Sequence, residues 1–91
     1  MITFDDAKRL ADEALRDTWD GHGTFYVAPT GFEDAMEFNV IVGAREALVD
    51  GDARYVEVGG LLVVVDKETG AVSRRVYLDD RVRFDSMVRV A

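Results

Sequence analysis

The chain has 91 residues, of which 48% are hydrophobic, and its 18 acidic residues outnumber 11 basic ones, giving a formal net charge of −7. A chain of this length buries one hydrophobic core, so we expect a single domain over residues 1–91. The negative charge argues against direct binding to nucleic acid, whose phosphates are neutralised by lysine and arginine. The lack of cysteine excludes disulfides, thiolate metal sites and cysteine nucleophiles.

No apolar targeting segment is visible near the N-terminus. The first twenty residues are interrupted by charged side chains such as Asp5, Lys8 and Glu13. The longest strongly apolar run, residues 61–65, is far shorter than the ~20 residues that span a bilayer. We therefore expect a cytoplasmic protein with no membrane partner.

The first predicted element is an amphipathic helix that begins at Phe4 and ends near Thr18. Its apolar residues recur at steps of three and four, which gives one apolar face. Thr3 and Asp6 have the spacing of a capping box at its N-terminus. A loop over residues 20–23 follows the helix.

Two strands and a short helix come next. Residues 24–28 are aromatic and β-branched, which predicts a strand that Pro29 ends, with a turn at Thr30 and Gly31. Residues 36–42 alternate, which predicts a strand with one apolar face and a solvent-exposed polar face carrying Glu37 and Asn39. Residues 43–49 favour one or two helical turns, which residues 50–52 break.

The second half of the chain predicts strands at residues 54–58, 61–65 and 71–77. The run 61–65 is continuously apolar, so we expect it to be central or covered on both faces. Asp66 and Gly70 favour a hairpin loop between the last two strands. The tail from Asp79 fits either a short helix or an edge strand. The pattern predicts an α+β fold, with the N-terminal helix on an antiparallel sheet of four to five strands and a short helical segment between strands two and three.

Residues that carry chemistry are sparse. His22, the single histidine, lies close to Asp20 and is interpreted as a solvated loop residue rather than as a base or metal ligand. Asp50 begins a pattern similar to a calcium loop, but position twelve is Leu61 instead of glutamate. The pair Gly59–Gly60 lacks the glycine spacing of a phosphate-binding loop and indicates a tight link or bulge. We expect no catalytic residue, no cofactor and no metal.

Charge is distributed unevenly along the chain. Residues 1–57 hold 13 acidic and 5 basic residues, a net charge of −8, whereas residues 58–91 carry +1. Such a balance is typical of a soluble domain. It also fits an acidic surface that attracts a basic partner.

The middle of the chain resembles the immunity protein 35 family, also called the YrhB domain. The resemblance is carried by the strand 38–42, the segment Glu46-Ala47-Leu48-Val49-Asp50-Gly51-Asp52, the pair Gly59–Gly60, and the run Val63-Val64-Val65-Asp66-Lys67-Glu68-Thr69-Gly70-Ala71-Val72. It covers most of residues 4–77. Two features differ from the family pattern: Leu61 and Leu62 follow the glycines in place of a proline, and the strand around Phe38 lacks a tryptophan.

The resemblance implies a non-catalytic antidote that binds and neutralises a cognate bacterial toxin encoded with it. If the toxin is basic, we expect carboxylates of the acidic segment to form the binding surface. These candidates for partner binding are Glu33, Asp34, Glu37, Glu46, Asp50 and Asp52.

Other interpretations stay open at this point. The helix and hairpin pattern also fits a PepSY-like regulatory or protease-binding module, and His22 with a carboxylate would be needed for a small enzyme. A sheet face carrying Tyr26, Tyr55 and Tyr77 is a second candidate interface, because aromatic residues often anchor interfaces. An edge strand within residues 77–91 would allow a homodimer.

Overall fold

The computed structural model describes residues 1–19, 21, 23–56 and 61–91. These residues form, in chain order, α1 (Phe4–Leu15), β1 (Phe25–Glu33), β2 (Glu37–Ala44), α2 (Arg45–Leu48), β3 (Leu61–Asp66), β4 (Val72–Val76), α3 (Arg81–Asp85) and β5 (Val88–Val90). Short 3₁₀ turns lie at Arg16–Thr18, Ala53–Tyr55 and Tyr77–Asp80.

The five strands form one antiparallel sheet in the order β4-β3-β2-β1-β5. The first four strands follow one another as neighbours, and β5 then joins the far edge beside β1. The predicted α+β fold is therefore confirmed, with the short helix α2 between strands two and three.

One face of the sheet packs against α1. Phe4, Ala7 and Ala11 of the helix are buried against side chains of β2 and β3, among them Phe38 and Val65. The two alanines allow the helix axis to approach the sheet closely, and the rings of Phe4 and Phe38 lie 5.6 Å apart. The predicted capping box is confirmed, since Thr3 and Asp6 exchange hydrogen bonds at the helix N-terminus.

The opposite face is covered by residues 77–87, which we call the crossing segment because they connect β4 at one edge to β5 at the other. Phe84 and Met87 of this segment bury Val64 of β3. The prediction that β2 has a solvent-exposed polar face is wrong, because the crossing segment covers it: Glu37 and Asn39 are only 6% and 8% exposed. The expectation that residues 61–65 are covered on both faces is confirmed for the described side chains 63–65.

β1 is longer than the sequence predicts. The strand passes through Pro29 and continues to Glu33, so the predicted turn at Thr30 and Gly31 is wrong. Pro29 is tolerated because it lies where the pairing of β1 with β2 is interrupted, between Val27 and Gly31, and no ladder there requires its missing N–H. β1 therefore contributes a second paired stretch, which holds β5.

The predictions for the hairpin loop, for residues 54–58 and for the tail have different outcomes. The hairpin loop is confirmed: Asp66 accepts hydrogen bonds from the backbone of Glu68 and Thr69, and Gly70 has a φ of 75°. Within the predicted strand 54–58, residues 54–56 are described: Arg54 and Tyr55 lie in the 3₁₀ turn Ala53–Tyr55 and Val56 follows it, so that strand is wrong there. The tail contains both of the alternatives, a short helix α3 and an edge strand β5.

Candidate functional site

The six carboxylates predicted to bind a partner fall into two groups at opposite ends of β2. Glu33, Asp34 and Glu37 lie at the β1–β2 hairpin, where β2 begins, whereas the other three, Glu46, Asp50 and Asp52, follow the end of β2. The eight residues of β2 separate the groups by roughly 23 Å, given the rise per residue of a strand. The structure therefore does not bring the six residues to one surface.

Glu33 is part of an ion pair on the α1 side of the sheet. Its carboxylate lies 2.8 Å from the Lys67 ammonium, whose side chain is only 11% exposed. The same ammonium lies 4.7 Å from the centre of the Phe38 ring, which adds a cation–π contact. Glu33 thus provides the ionic partner of a nearly buried lysine.

Asp34 and Glu37 hold the crossing segment to the sheet through Arg83. The Arg83 Nε donates to Asp34 Oδ2 at 2.8 Å, and the Arg83 Nη2 lies 2.6 Å from Glu37 Oε1. Arg75 of β4 approaches the second Glu37 oxygen at 3.6 Å. Both carboxylates are therefore neutralised by arginines, and Glu37 has little surface to offer a partner.

The pKa of Asp34 is set by its burial and by its hydrogen bonds. Burial alone would raise it, but hydrogen bonds from the Arg83 side chain and from the backbone N–H groups of Met36 and Glu37 outweigh burial and lower the pKa to about 2. The pKa of Arg83 is raised, chiefly by its hydrogen bond to Asp34, so this arginine stays charged. At neutral pH the hairpin end is a fixed network of paired charges.

The second group lies on and after α2. Both carboxylate oxygens of Glu46 accept the backbone N–H of Thr24, and this bond lowers the pKa of Glu46. Asp52 accepts hydrogen bonds from the backbone and guanidinium of Arg54, and its pKa is also lowered, chiefly by the side-chain bond. Asp50 lies exposed at the turn between them. Glu46 and Asp52 are therefore negatively charged near neutral pH.

Exposed apolar side chains lie between and after these carboxylates along the chain. Leu48, Val49 and Val56 are 41%, 48% and 58% exposed. Residues 45–56 form a projection after β2, in which a backbone hydrogen bond from Asp52 N to Glu46 O closes residues 46–52, and Val56 follows the 3₁₀ turn Ala53–Tyr55. We define the α2 surface as six residues of this projection: Glu46, Leu48, Val49, Asp50, Asp52 and Val56.

Sequence reasoning missed the apolar part of the α2 surface. The sequence predicts one or two helical turns over residues 43–49, and this prediction does not identify Leu48 and Val49 as exposed. The missed signal is that these residues stand directly before the helix break at residues 50–52: Leu48 is the last residue of the four-residue helix α2, Val49 is its C-cap, and both side chains are exposed. Also missed were Arg83 and Lys67, which pair with the hairpin carboxylates from 49 and 34 residues away.

The three tyrosines do not share one sheet face. Tyr26 lies in β1 and lines a groove of about 490 Å³ against α1. Tyr55 lies in a 3₁₀ turn beside Gly23, and Tyr77 packs against Phe84 and donates its hydroxyl hydrogen to Asp85. That hydrogen bond raises the pKa of Tyr77. A single tyrosine-bearing surface is therefore not formed.

The remaining predictions concern the histidine and glycine-pair candidates, metal binding and membrane spans. His22, Asp20 and the pair Gly59–Gly60 lie outside the described residues. Among the residues that are described, no group of three or more histidine, aspartate and glutamate side chains could hold a metal ion. Within the same part of the chain, no helix is long and apolar enough to cross a membrane.

Comparisons with known proteins were made at the level of families, sequences and structures. No protein-family model, no curated protein and no solved structure matches the chain. The resemblance to the immunity protein 35 family therefore depends on the sequence pattern alone and stays a prediction.

Proposed function

We propose that this chain is a non-catalytic immunity protein that binds and neutralises a cognate protein toxin through the α2 surface. The observation that carries the proposal is the exposure of Leu48, Val49 and Val56 beside three carboxylates. The sequence pattern supports it independently, because the resemblance to the immunity protein family includes the whole segment 46–52. The complex is stoichiometric, so inhibition scales with the amount of this protein.

The apolar residues supply the affinity of such a contact. Interfaces typically have an apolar centre that excludes water and a polar rim that selects the partner. Val49 and Val56 are about half exposed and are available to enter a pocket on the toxin. Leu48 contributes less, since its side chain also packs over Gly43 of β2, 3.3 Å from where a Cβ would lie.

The carboxylates supply orientation and the rate of association. Glu46 and Asp52 are fixed by hydrogen bonds to backbone N–H groups, so their charges are pre-organised. Asp50 is exposed and its side chain makes no hydrogen bond or ion pair with the described residues, which makes it the group best placed to meet a cation of the toxin. Charges of this kind act mainly on the association rate, and salt screens them.

The direct test is to express the product of the adjacent upstream gene in bacteria with and without this chain. The proposal expects the product to stop growth alone, to be harmless when both are present, and to co-purify with this protein. If the product expressed alone is harmless, the immunity function is wrong. A partner that is a protease or a sensor would instead favour a PepSY-like regulatory module.

Two pairs of matched variants locate the surface. Val49→Glu should weaken the complex at least about tenfold, because it places a charge in the apolar centre. Val82→Glu is its control: it makes the same change on α3, at a side chain that is 77% exposed, and should have little effect. Asp50→Lys should slow association several-fold at low salt and little at high salt. Glu68→Lys is the control for Asp50→Lys: it changes the net charge by the same amount, but it lies in the exposed hairpin loop beyond the other end of β2. Equal effects within each pair would reject the α2 surface but leave the immunity function standing.

A further inference from the structure

The outer edge of β4 is an open strand edge. β4 pairs with β3 at all five of its positions, from Val72 opposite Val65 to Val76 opposite Leu61. It is the terminal strand of the sheet, and no other described residue makes a backbone hydrogen bond with it. Its last three side chains are exposed. An extended chain can therefore be added here as a sixth strand.

The register determines which backbone groups face outward. At the end of the ladder Asp66 N donates to the carbonyl of Ala71, which marks Asp66–Ala71 as a hydrogen-bonded position of the antiparallel register. Hydrogen-bonded pairs alternate along an antiparallel ladder. Ser73 and Arg75 therefore direct their N–H and C=O groups toward β3, whereas Val72, Arg74 and Val76 direct theirs away from the sheet. The edge offers three donors and three acceptors to a new strand.

The side chains of this edge are basic in a chain of net charge −7. Arg74 and Arg75 are consecutive, so they project from opposite faces of the sheet. Arg75 is 52% exposed, and its nearest carboxylate is Glu37 at 3.6 Å. Arg74 is exposed and forms no ion pair with any acidic side chain in the described parts of the chain. The edge therefore presents a positive charge on each face.

A second copy of the chain is a poor occupant of this edge. The antiparallel pairing that uses all five residues of both β4 strands places Arg74 directly opposite Arg74 of the other copy. Like charges directly opposite one another destabilise a strand pair, and charged edges are a common protection against self-association. An acidic strand would instead be attracted to the arginines of β4. Charge complementarity therefore favours an acidic segment of another protein over a second copy of this chain.

We infer that the outer edge of β4 binds an acidic extended segment of a partner protein by strand addition. Antiparallel pairing places acidic residues opposite Arg74 and Arg75 and apolar residues opposite Val72 and Val76. The occupant has the pattern apolar, acidic, acidic, polar, apolar. This edge is independent of the α2 surface, because α2 packs on β1 and β2 whereas β4 contacts β3 on the far side of β2.

The test uses the full chain and a blocked synthetic peptide, Thr-Val-Glu-Glu-Thr-Val-Thr. Titration followed by amide NMR should shift the signals of residues 72–76 and slow hydrogen exchange at their outward amides. A peptide with lysine in place of both glutamates should bind more weakly, and so should the acidic peptide N-methylated at the glutamate opposite Arg74. Arg74→Glu should raise the Kd about 2- to 30-fold, because a cross-strand attraction becomes a repulsion.

Arg89→Glu is the matched control, since Arg89 is an exposed arginine on the opposite edge strand β5. It should leave the Kd of the acidic peptide within about twofold. Equal binding of the acidic and lysine peptides, or unchanged affinity after N-methylation, would overturn the inference. A dimer in analytical ultracentrifugation that Arg74→Glu alters would also overturn it, because the occupant would then be a second copy. None of these results depends on the identity of the toxin.

Discussion

Removing the charge of Asp34 tests whether the hairpin carboxylates stabilise the fold. Asp34→Asn keeps the Oδ1 acceptor that binds the backbone N–H groups of Met36 and Glu37. It replaces Oδ2, which accepts the Arg83 Nε at 2.8 Å, by an amide NH₂ that has no lone pair to offer. The substitution therefore isolates the charged contact to the crossing segment and leaves the hairpin turn intact.

The pKa of Asp34 gives the size of the effect. Its pKa is about 2 in the folded protein and 3.8 as a reference value. A shift of this size corresponds to about 2 kcal/mol. Because the folded-state pKa is the lower one, this stability is fully present above pH ~4 and is lost as the pH falls through about 2. Asparagine keeps the backbone hydrogen bonds that cause part of this shift, so at neutral pH we expect Asp34→Asn to lower the free energy of unfolding by about 1–2 kcal/mol, out of a total of about 5–14 kcal/mol for a chain of this length.

Urea unfolding monitored by Trp19 fluorescence and circular dichroism, repeated between pH 2 and pH 7, measures this difference. With a slope of about 1 kcal/mol per molar urea for a small domain, the midpoint should fall by about 1–2 M at pH 7. The two proteins should converge toward pH 2, where the natural carboxylate is itself protonated.

Glu68→Gln is the control for this measurement, since the Glu68 side chain is exposed in the β3–β4 loop. It should change stability by less than about 0.5 kcal/mol at every pH. A difference between Asp34→Asn and the natural protein that is the same at pH 2 and pH 7 would refute the electrostatic reasoning. A difference below about 0.5 kcal/mol at pH 7 would show that Arg83 gains nothing from Asp34.

Three further substitutions probe the packing. Arg83→Met should cost about 3–5 kcal/mol in urea unfolding, because it leaves the buried Glu37 without its closest cation, and adding Glu37→Leu should recover part of the loss. Gly31→Ala should cost about 1–3 kcal/mol, because the new Cβ would collide with the carbonyl oxygen of Asn39, and a neutral result would contradict the close approach of β1 and β2. Thr3→Ala should cost about 1 kcal/mol and reduce helical circular dichroism, because Thr3 caps α1.

The elements that the sequence predicted correctly are those whose causes are local. The helix α1 has its cap and its apolar face within fifteen residues, and the loop after β3 is closed by Asp66 and Gly70 within five. Neither element needs information from a distant part of the chain. Each local preference therefore agrees with the final fold, as expected for a strongly specified segment.

The errors arise where a distant segment decides the outcome. Alternation in β2 indicates an exposed polar face only if nothing covers that face, and the cover is supplied by Phe84 and Arg83, more than 40 residues later. Past Pro29, residues 31–33 of β1 pair with β2 on one side and with β5, from the end of the chain, on the other. The pattern of one strand does not show that another segment covers it. Here the cover is the crossing segment, whose own sequence fits either a helix or a strand.

The candidate site was predicted in part for the same reason. Six acids close in sequence indicate a negative surface, but β2 divides them, and the cations that match the hairpin group lie far along the chain. The α2 group keeps its charge at the surface because its partners are backbone N–H groups and one exposed arginine. Sequence proximity located the acidic residues, and the topology decided which of them remain available to a partner.

This division makes the two ends of β2 experimentally distinguishable. At the hairpin end, each carboxylate has an arginine or lysine partner, so charge removal should act on stability and depend on pH. On the α2 surface, Asp50 has no structural role in the described contacts, so charge reversal should act on association and depend on salt. A charge scan that measures both quantities separates the two roles without knowledge of the partner's structure. It would also show how much of the charge of −7 is fixed in the fold and how much is offered to a partner.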